Sequence, residues 1–275
     1  MKDFTDKLIY ITGGSSGIGL ATGRLLASLG ADIVLLARQA APLEQARALL
    51  EANKKTGRQK IRILSVDVGK PTEVSERMKQ AVDSFGAPDI LINSAGINKY
   101  ADHFENITPD MFDEVMKVNV NGVRNVTHAL LDPMKEKKGQ VVILSSAAAL
   151  FGMFGYSTYA ASKSALTGFA ESLRYELKPL GMQVSIIFPP EVDTPMNIDE
   201  AKTLPVQGKA MKQMAGTLTP AYVAKVIVKA IAQKKYFVIP GVLTRVFYLL
   251  HRLSNGVLTR TIADMVVKQA GRGKA

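Results

Sequence analysis

At 275 residues, 47% hydrophobic and 21% charged, the chain holds enough apolar material for one large α/β domain and too little compositional bias for a disordered or fibrous protein. Zero Cys excludes disulfides, thiolate metal centres, iron–sulfur clusters and a cysteine nucleophile, and with only three His no metal site is expected. The formal charge of +11 is unevenly placed: residues 201–275 carry +12, with Asp264 as their one acid, whereas residues 1–200 sum to −1.

The start, Met1 to Lys7, is charged, and the apolar run Leu8 to Ile11 is far shorter than the core of a secretory signal, so the expected location is cytoplasmic. Apolar runs predict strands at 7–12, 32–37, 61–66, 89–92, 140–145, 182–188 and 236–239. Helical patterns fall between them near 17–29, 42–55, 72–85, 109–136, 157–178 and 221–234; Thr108-Pro109 and Thr219-Pro220 read as an N-cap followed by an N1 proline. Regular alternation of this kind predicts a doubly wound, seven-stranded parallel sheet of Rossmann type, with helices on both faces. One domain is expected over 1–240. It includes a substrate lid at about 190–219, where periodicity is weak and loop residues gather, and 241–275 follows as a basic apolar appendage.

The first strand runs into Thr12-Gly13-Gly14-Ser15-Ser16-Gly17-Ile18-Gly19 and then a helix. Glycines let the backbone turn tightly against a pyrophosphate, while the free N–H groups and positive dipole end of the helix face its charge. Gly13, Ser15, Ser16, Gly17, Ile18 and Gly19 are therefore the expected phosphate loop, although G-x-x-x-G-x-G departs from the common G-x-G-x-x-G spacing. The second strand ends in Arg38 rather than an acid, and a guanidinium there, helped by the Ser15 hydroxyl, suits a 2′-phosphate: the expected cofactor is NADP(H). Asp67 and Val68 after the third strand, and Asn93, Ala95 and Gly96 after the fourth, point at the same crevice, Asp67 as an acceptor for the adenine amino group.

Ser146 closes the fifth strand, and Tyr159 and Lys163 stand four apart on one face of the next helix. A phenol needs a neighbouring cation to exchange a proton near neutral pH, and Lys163 supplies it. Ser146 would bond the substrate oxygen while a proton moves at Tyr159, and Asn119, inside the preceding long helix, would bond backbone or water behind Lys163.

In this order and placement the residues resemble the short-chain dehydrogenase/reductase family, through Thr12-Gly13-x-x-x-Gly17-x-Gly19, Asn93-x-Ala95-Gly96, Asn119, Ser146, Tyr159-x-x-x-Lys163 and the Pro189 segment. The resemblance implies Tyr159 as catalytic acid/base, Lys163 lowering its pKa and holding the nicotinamide ribose, Ser146 orienting substrate, Asn119 completing a relay, and Pro189, Val192 and Thr194 at the nicotinamide end. Ser94 and Pro190 stand where the family often has Asn and Gly. The stretches Leu150 to Tyr159 and Phe188 to Pro195 resemble those of members that reduce a long-chain keto base of sphingolipid synthesis.

Past Tyr236 the chain is apolar but broken by Arg245, Arg252 and Arg260, which excludes a spanning helix there. Leu243, Val246, Phe247, Leu250 and Leu253 recur at helical spacing and predict a basic amphipathic helix at the inner or cytosolic membrane surface, the alternative being one that packs on the body. Phe151, Met153, Phe154 and Met196 are the candidate lining for an alkyl chain. The expected activity is NADPH-dependent reduction of a hydrophobic ketone. Steroid, acyl or other lipophilic substrates are the alternative, and a non-catalytic NADP-binding scaffold is the reading of another class. The expected partners are a lipid-like small molecule and a membrane surface, and the family resemblance implies a homo-oligomer paired through 109–136 and 157–178; no nucleic acid is expected.

Overall fold

The computed structural model describes residues 3–214 and 216–272; residues 1–2 of the expected domain, 215 of the lid and 273–275 of the appendage lie outside the described residues. Strands β1 (Leu8–Thr12), β2 (Asp32–Ala37), β3 (Ile61–Ser65), β4 (Ile90–Asn93), β5 (Gln140–Leu144), β6 (Gln183–Ile187) and β7 (Phe237–Val238) form one sheet. Their order is β3-β2-β1-β4-β5-β6-β7, and every neighbouring pair is parallel. Side chains alternate between two buried layers, which explains why the strands read as nearly unbroken apolar runs. Ile9, Ile11, Ile33, Leu35 and Ile92 enter one core with Leu26, Leu43 and Leu50 of α1 (Gly17–Ser28) and α2 (Ala40–Glu51), and with Val223 and Ile227 of α9 (Pro220–Ala232). Tyr10, Val34, Leu36, Leu91 and Ile143 enter the other with Met78 of α3 (Pro71–Phe85), Val126 and Leu130 of α5 (Gly122–Glu136) and Leu166 and Ala170 of α6 (Ser157–Leu177). Every strand bound falls within one residue of expectation; β7 keeps two of its four expected residues, Phe237 and Val238, which pair with Ile186 and Ile187.

The helix expected over 109–136 is not regular throughout. α4 (Pro109–Met116), capped by Thr108 Oγ1 accepting from the Met111 N–H, passes through a π turn at Lys117–Asn121 before α5 begins. A π turn widens the helix by one residue and turns Asn119 inward, where it is fully buried.

The expected lid contains two short helices, α7 (Pro195–Glu200) and α8 (Val206–Gln213). Its neck is closed by backbone: Val192 and Leu218 form a parallel bridge, the Asp193 N–H donates to the Leu218 carbonyl at 3.0 Å, and the Leu218 N–H to the Glu191 carbonyl at 2.9 Å. The tail forms α10 (Val242–Leu253) and α11 (Val257–Arg272) and folds back: Tyr248 joins a ring stack with Phe237 and Phe188, the Arg245 Nε donates to the Ile239 carbonyl at 2.6 Å, and α11 packs across α8. The predicted apolar stripe therefore divides. Phe247 turns into the molecule, while Leu243, Val246, Leu250 and Leu253 remain exposed.

Candidate active site

β1 and β4 lie side by side while their following helices pack on opposite faces, so a crevice opens beyond their carboxyl ends. It continues into a cavity of about 540 Å³ that runs from the glycine loop to α11. Gly13 and Gly17 have φ of +64° and +53°, which L side chains rarely adopt. A Cβ on Gly13 would lie 2.8 Å from the Ala95 nitrogen, and one on Gly19 would strike the Gly13 carbonyl, so the backbone itself forms the cradle. Thr12 joins the cradle's two sides: its Oγ1 accepts from the N–H groups of Ser94 and Ala95 at 3.0 and 3.1 Å.

Ser15, Ser16, Ile18, Arg38, Asp67, Val68, Ala95, Gly96, Pro189, Val192 and Thr194 line the cavity with the loop glycines. Arg38 is exposed at the end of β2. Asp67 stiffens its own turn by accepting from the Gly69 N–H at 2.9 Å, and Val68 is held by the Asn125 Nδ2, which donates to its carbonyl at 2.9 Å. Asn93 is placed elsewhere: strand alternation turns it into the core, 99% buried, where its Nδ2 donates to Thr127 Oγ1 at 3.1 Å.

The proton-transfer residues come together on three elements. Ser146 caps the short 3₁₀ turn Ala147–Ala149, its Oγ accepting from the Ala148 N–H at 3.2 Å, and its hydroxyl lies near enough to the Tyr159 phenol to act on its proton. Burial pushes the Tyr159 phenol up to about 12; the neighbouring Ser146 hydroxyl acts against this, and the Glu200 carboxylate adds to it. Lys163, one turn along α6, is buried. Its Nζ donates to the Leu144 carbonyl at 3.0 Å and lies 5.6 Å from the Tyr159 ring centroid. Burial lowers its ammonium to about 8. At neutral pH the phenol therefore holds its proton and the lysine its charge. The Asn119 Oδ1 accepts from the Ile97 N–H at 2.8 Å, and its Nδ2 donates to the Ile97 carbonyl and to Ser162 Oγ, each at 3.0 Å. A Cβ on Gly96 would come within 3.3 Å of both Asn119 Oδ1 and Lys163 Nζ, so this glycine admits their close approach.

Beyond Tyr159 the lining is largely apolar, with Phe151, Met153, Met196, Met211, Met214 and Phe247. Phe154 is not part of it and packs edge-on against His103 at 5.2 Å. Tail residues Thr244, His251, Thr259 and Arg260 close the far end, which the sequence pattern did not disclose. Also unforeseen is a polar cluster on the lid side: Glu200, 97% buried, accepts from Tyr156, from Asn98 Nδ2 at 2.7 Å and from Lys212 Nζ at 2.6 Å. Among the described residues there is no group of three His, Cys, Asp or Glu placed to hold a metal ion.

The family model for short chain dehydrogenases matches residues 7–205. The chain is 37% identical over 230 residues to a 3-dehydrosphinganine reductase of Danio rerio, covering 83% of this chain and 69% of that protein. It is 36% identical to a 3-ketodihydrosphingosine reductase of Bos taurus over the same shares. Among solved structures, L-sorbose reductase from Gluconobacter frateurii complexed with NADPH and L-sorbose superposes with a TM-score of 0.76 at 25% identity, covering 88% of this chain and 98% of that one.

Proposed function

The chain belongs to the short chain dehydrogenase family and is an oxidoreductase using a nicotinamide dinucleotide, and from that premise we propose that it reduces a long-chain keto base, 3-ketodihydrosphingosine, with NADPH. The carrying observation is that a phenol, an ammonium and a hydroxyl meet where a backbone cradle ends and a methionine-rich apolar passage begins. The cradle fits the dinucleotide: side-chain volume is absent where its pyrophosphate would approach, and Arg38, exposed at the end of β2, would pair with a 2′-phosphate on its adenosine ribose. When bound, the reduced nicotinamide supplies a hydride to the carbonyl carbon.

Ser146 donates to the substrate oxygen and fixes its position, and Tyr159 delivers its proton to that oxygen as negative charge develops there. Lys163, whose desolvated ammonium lies 5.6 Å from the Tyr159 ring centroid, stabilises the phenolate left behind. Asn119 ties the β4 loop to α6 through Ile97 and Ser162 and so holds Gly96 and Lys163 in register. Product analysis on a panel of long-chain ketones and steroids, with NADPH and NADH, tests this reading: activity confined to steroids would overturn it. Arg38→Glu should raise the KM for NADPH about tenfold or more while leaving that for NADH nearly unchanged.

The exposed side of α10 and α11 carries Val242, Leu253 and Val257 at 72%, 85% and 63% exposure, on the segment that also lines the cavity. Apolar projections with Arg252 nearby suit the interface of an anionic bilayer, from which a lipid substrate would enter under the lid. No helix among the described residues is long and apolar enough to cross a membrane. Flotation with anionic vesicles tests the contact: full chain and a 1–240 truncation recovered equally in the soluble fraction would reject it. Self-association through 109–136 and 157–178 is tested by sedimentation.

A further inference from the structure

Three ionic side chains line the cavity on its lid side and have no part in the proton transfer. Lys212 of α8 reaches Glu200 of α7 at 2.6 Å and Glu191, beside the neck, at 3.1 Å. Two carboxylates thus share one ammonium and leave a net negative charge at the cavity wall. The two acids differ in what they have left to offer. Glu200 is saturated by Tyr156, Asn98 and Lys212, and with α7 it anchors the lid. Glu191 is 21% exposed, and Lys212 is the single side-chain partner of its carboxylate among the described residues, so acceptor positions remain open toward the cavity. Arg260, another cation of the lining, is exposed on α11 and packs beside Gly256.

The cluster adjoins the reacting centre. Tyr156, which donates to Glu200, has its ring 5.9 Å from that of Tyr159, and the charge of Glu200 is felt at the Tyr159 phenol. We infer that Glu191 is a specificity-determining residue that receives a protonated amine carried next to the substrate carbonyl, with Lys212 and Glu200 as positioning residues that hold its carboxylate at the cavity wall. The assignment rests on the ketone-reductase reading of the same site. It assigns a residue of the cavity wall to the amine of the proposed keto base, which the apolar passage alone does not hold. A neutral ketone would leave the two carboxylates with only the Lys212 charge between them in a partly desolvated wall, whereas an ammonium gains a charge-assisted hydrogen bond there.

Calorimetric titration of the full chain with a medium-chain 2-amino-1,3-diol and with the same diol lacking the amine, both at neutral pH with NADPH present so that no hydride can pass, separates the possibilities. The amine should bind about tenfold more tightly, the difference one charge-assisted hydrogen bond makes. Glu191→Gln, nearly isosteric and at a partly exposed position, should reduce that advantage to about twofold or less, with little change for the amine-free diol. Equal binding of the two diols by the unaltered protein, or an advantage that survives Glu191→Gln, overturns the assignment. Turnover of the matching ketones keeps the two readings apart. An amine preference in binding without any ketone reduction supports the Glu191 assignment and removes the reductase reading; reduction of both ketones without an amine preference does the reverse.

Discussion

Replacing Lys163 by Met should make the protein inactive and, at neutral pH, as stable or more so. The Lys163 ammonium is held at about 8 instead of 10.5 because burial removes its water, and a shift of that size corresponds to about 3 kcal/mol against folding in the charged form. Met keeps the length without the charge, but leaves the Leu144 carbonyl without its donor, at a cost of about 1–2 kcal/mol. The net gain at pH 7 is then about 1–2 kcal/mol. The sign depends on pH. Between about pH 8 and 10 the unfolded chain still binds the lysine proton and the folded chain does not, so stability of the unaltered protein rises by up to about 1.4 kcal/mol per pH unit. Lys163→Met lacks this gain, and near pH 10 it should be the less stable of the two. Phenols raised by burial, such as Tyr159 at about 12, act in the opposite sense but above this window, because their unfolded forms begin to ionise only near 10. Urea unfolding of cofactor-free protein, followed by far-ultraviolet circular dichroism at one fixed concentration from pH 7 to 10, measures the difference. A difference that changes by less than about 0.5 kcal/mol across that range would refute a desolvated ammonium at this position.

Tyr159→Phe removes the transferable proton while keeping the ring, so kcat should fall at least about 100-fold with dinucleotide affinity retained, measured by NADPH oxidation and by direct binding. Gly19→Ala places a methyl against the Gly13 carbonyl; dinucleotide binding should weaken by about 100-fold and thermal unfolding should shift downward, and a variant with unchanged dinucleotide affinity would show that the cradle has slack. Phe247→Ala opens the roof contributed by α10; KM for a long-chain ketone should rise about tenfold while a short-chain ketone is little affected, and parallel changes for both would place Phe247 away from the alkyl path. Asn119→Ala should destabilise by about 2–3 kcal/mol, since the Ile97 N–H and carbonyl both lose their partner, with a larger loss in kcat than in KM because Lys163 loses its register.

The sheet was legible because both of its faces are covered: alternating sides are equally apolar, and runs such as Leu8 to Ile11 and Gln140 to Leu144 need no solvent-facing interruptions. The glycine loop and the Tyr159–Lys163 pair were legible because each depends on local spacing. Asn93 was harder to place, since a strand's last side chain goes to the cleft or the core according to alternation, and here Thr127 receives it. The π turn is hidden because Lys117 to Asn121 carries no proline or glycine that would mark a break. Helices α7 and α8 were obscured since each is short and presents residues to a cavity rather than a continuous core, although Thr194-Pro195 is a recognisable start. The tail's helical period was visible in Leu243, Val246, Phe247, Leu250 and Leu253; which of these faces inward depends on contacts with Phe237, Ile239 and α8 that lie outside the period.

The bridge between Val192 and Leu218 gives this architecture a drawstring. Everything inside the purse can lengthen, shorten or change its sequence without disturbing the β6–β7 ladder, because the closure is made of main-chain groups that any residue other than proline supplies. Chemistry and appetite can then diverge at different speeds: the groups that move the proton sit on the rigid sheet ends and α6, while the contents of the purse are free to be exchanged for a different guest.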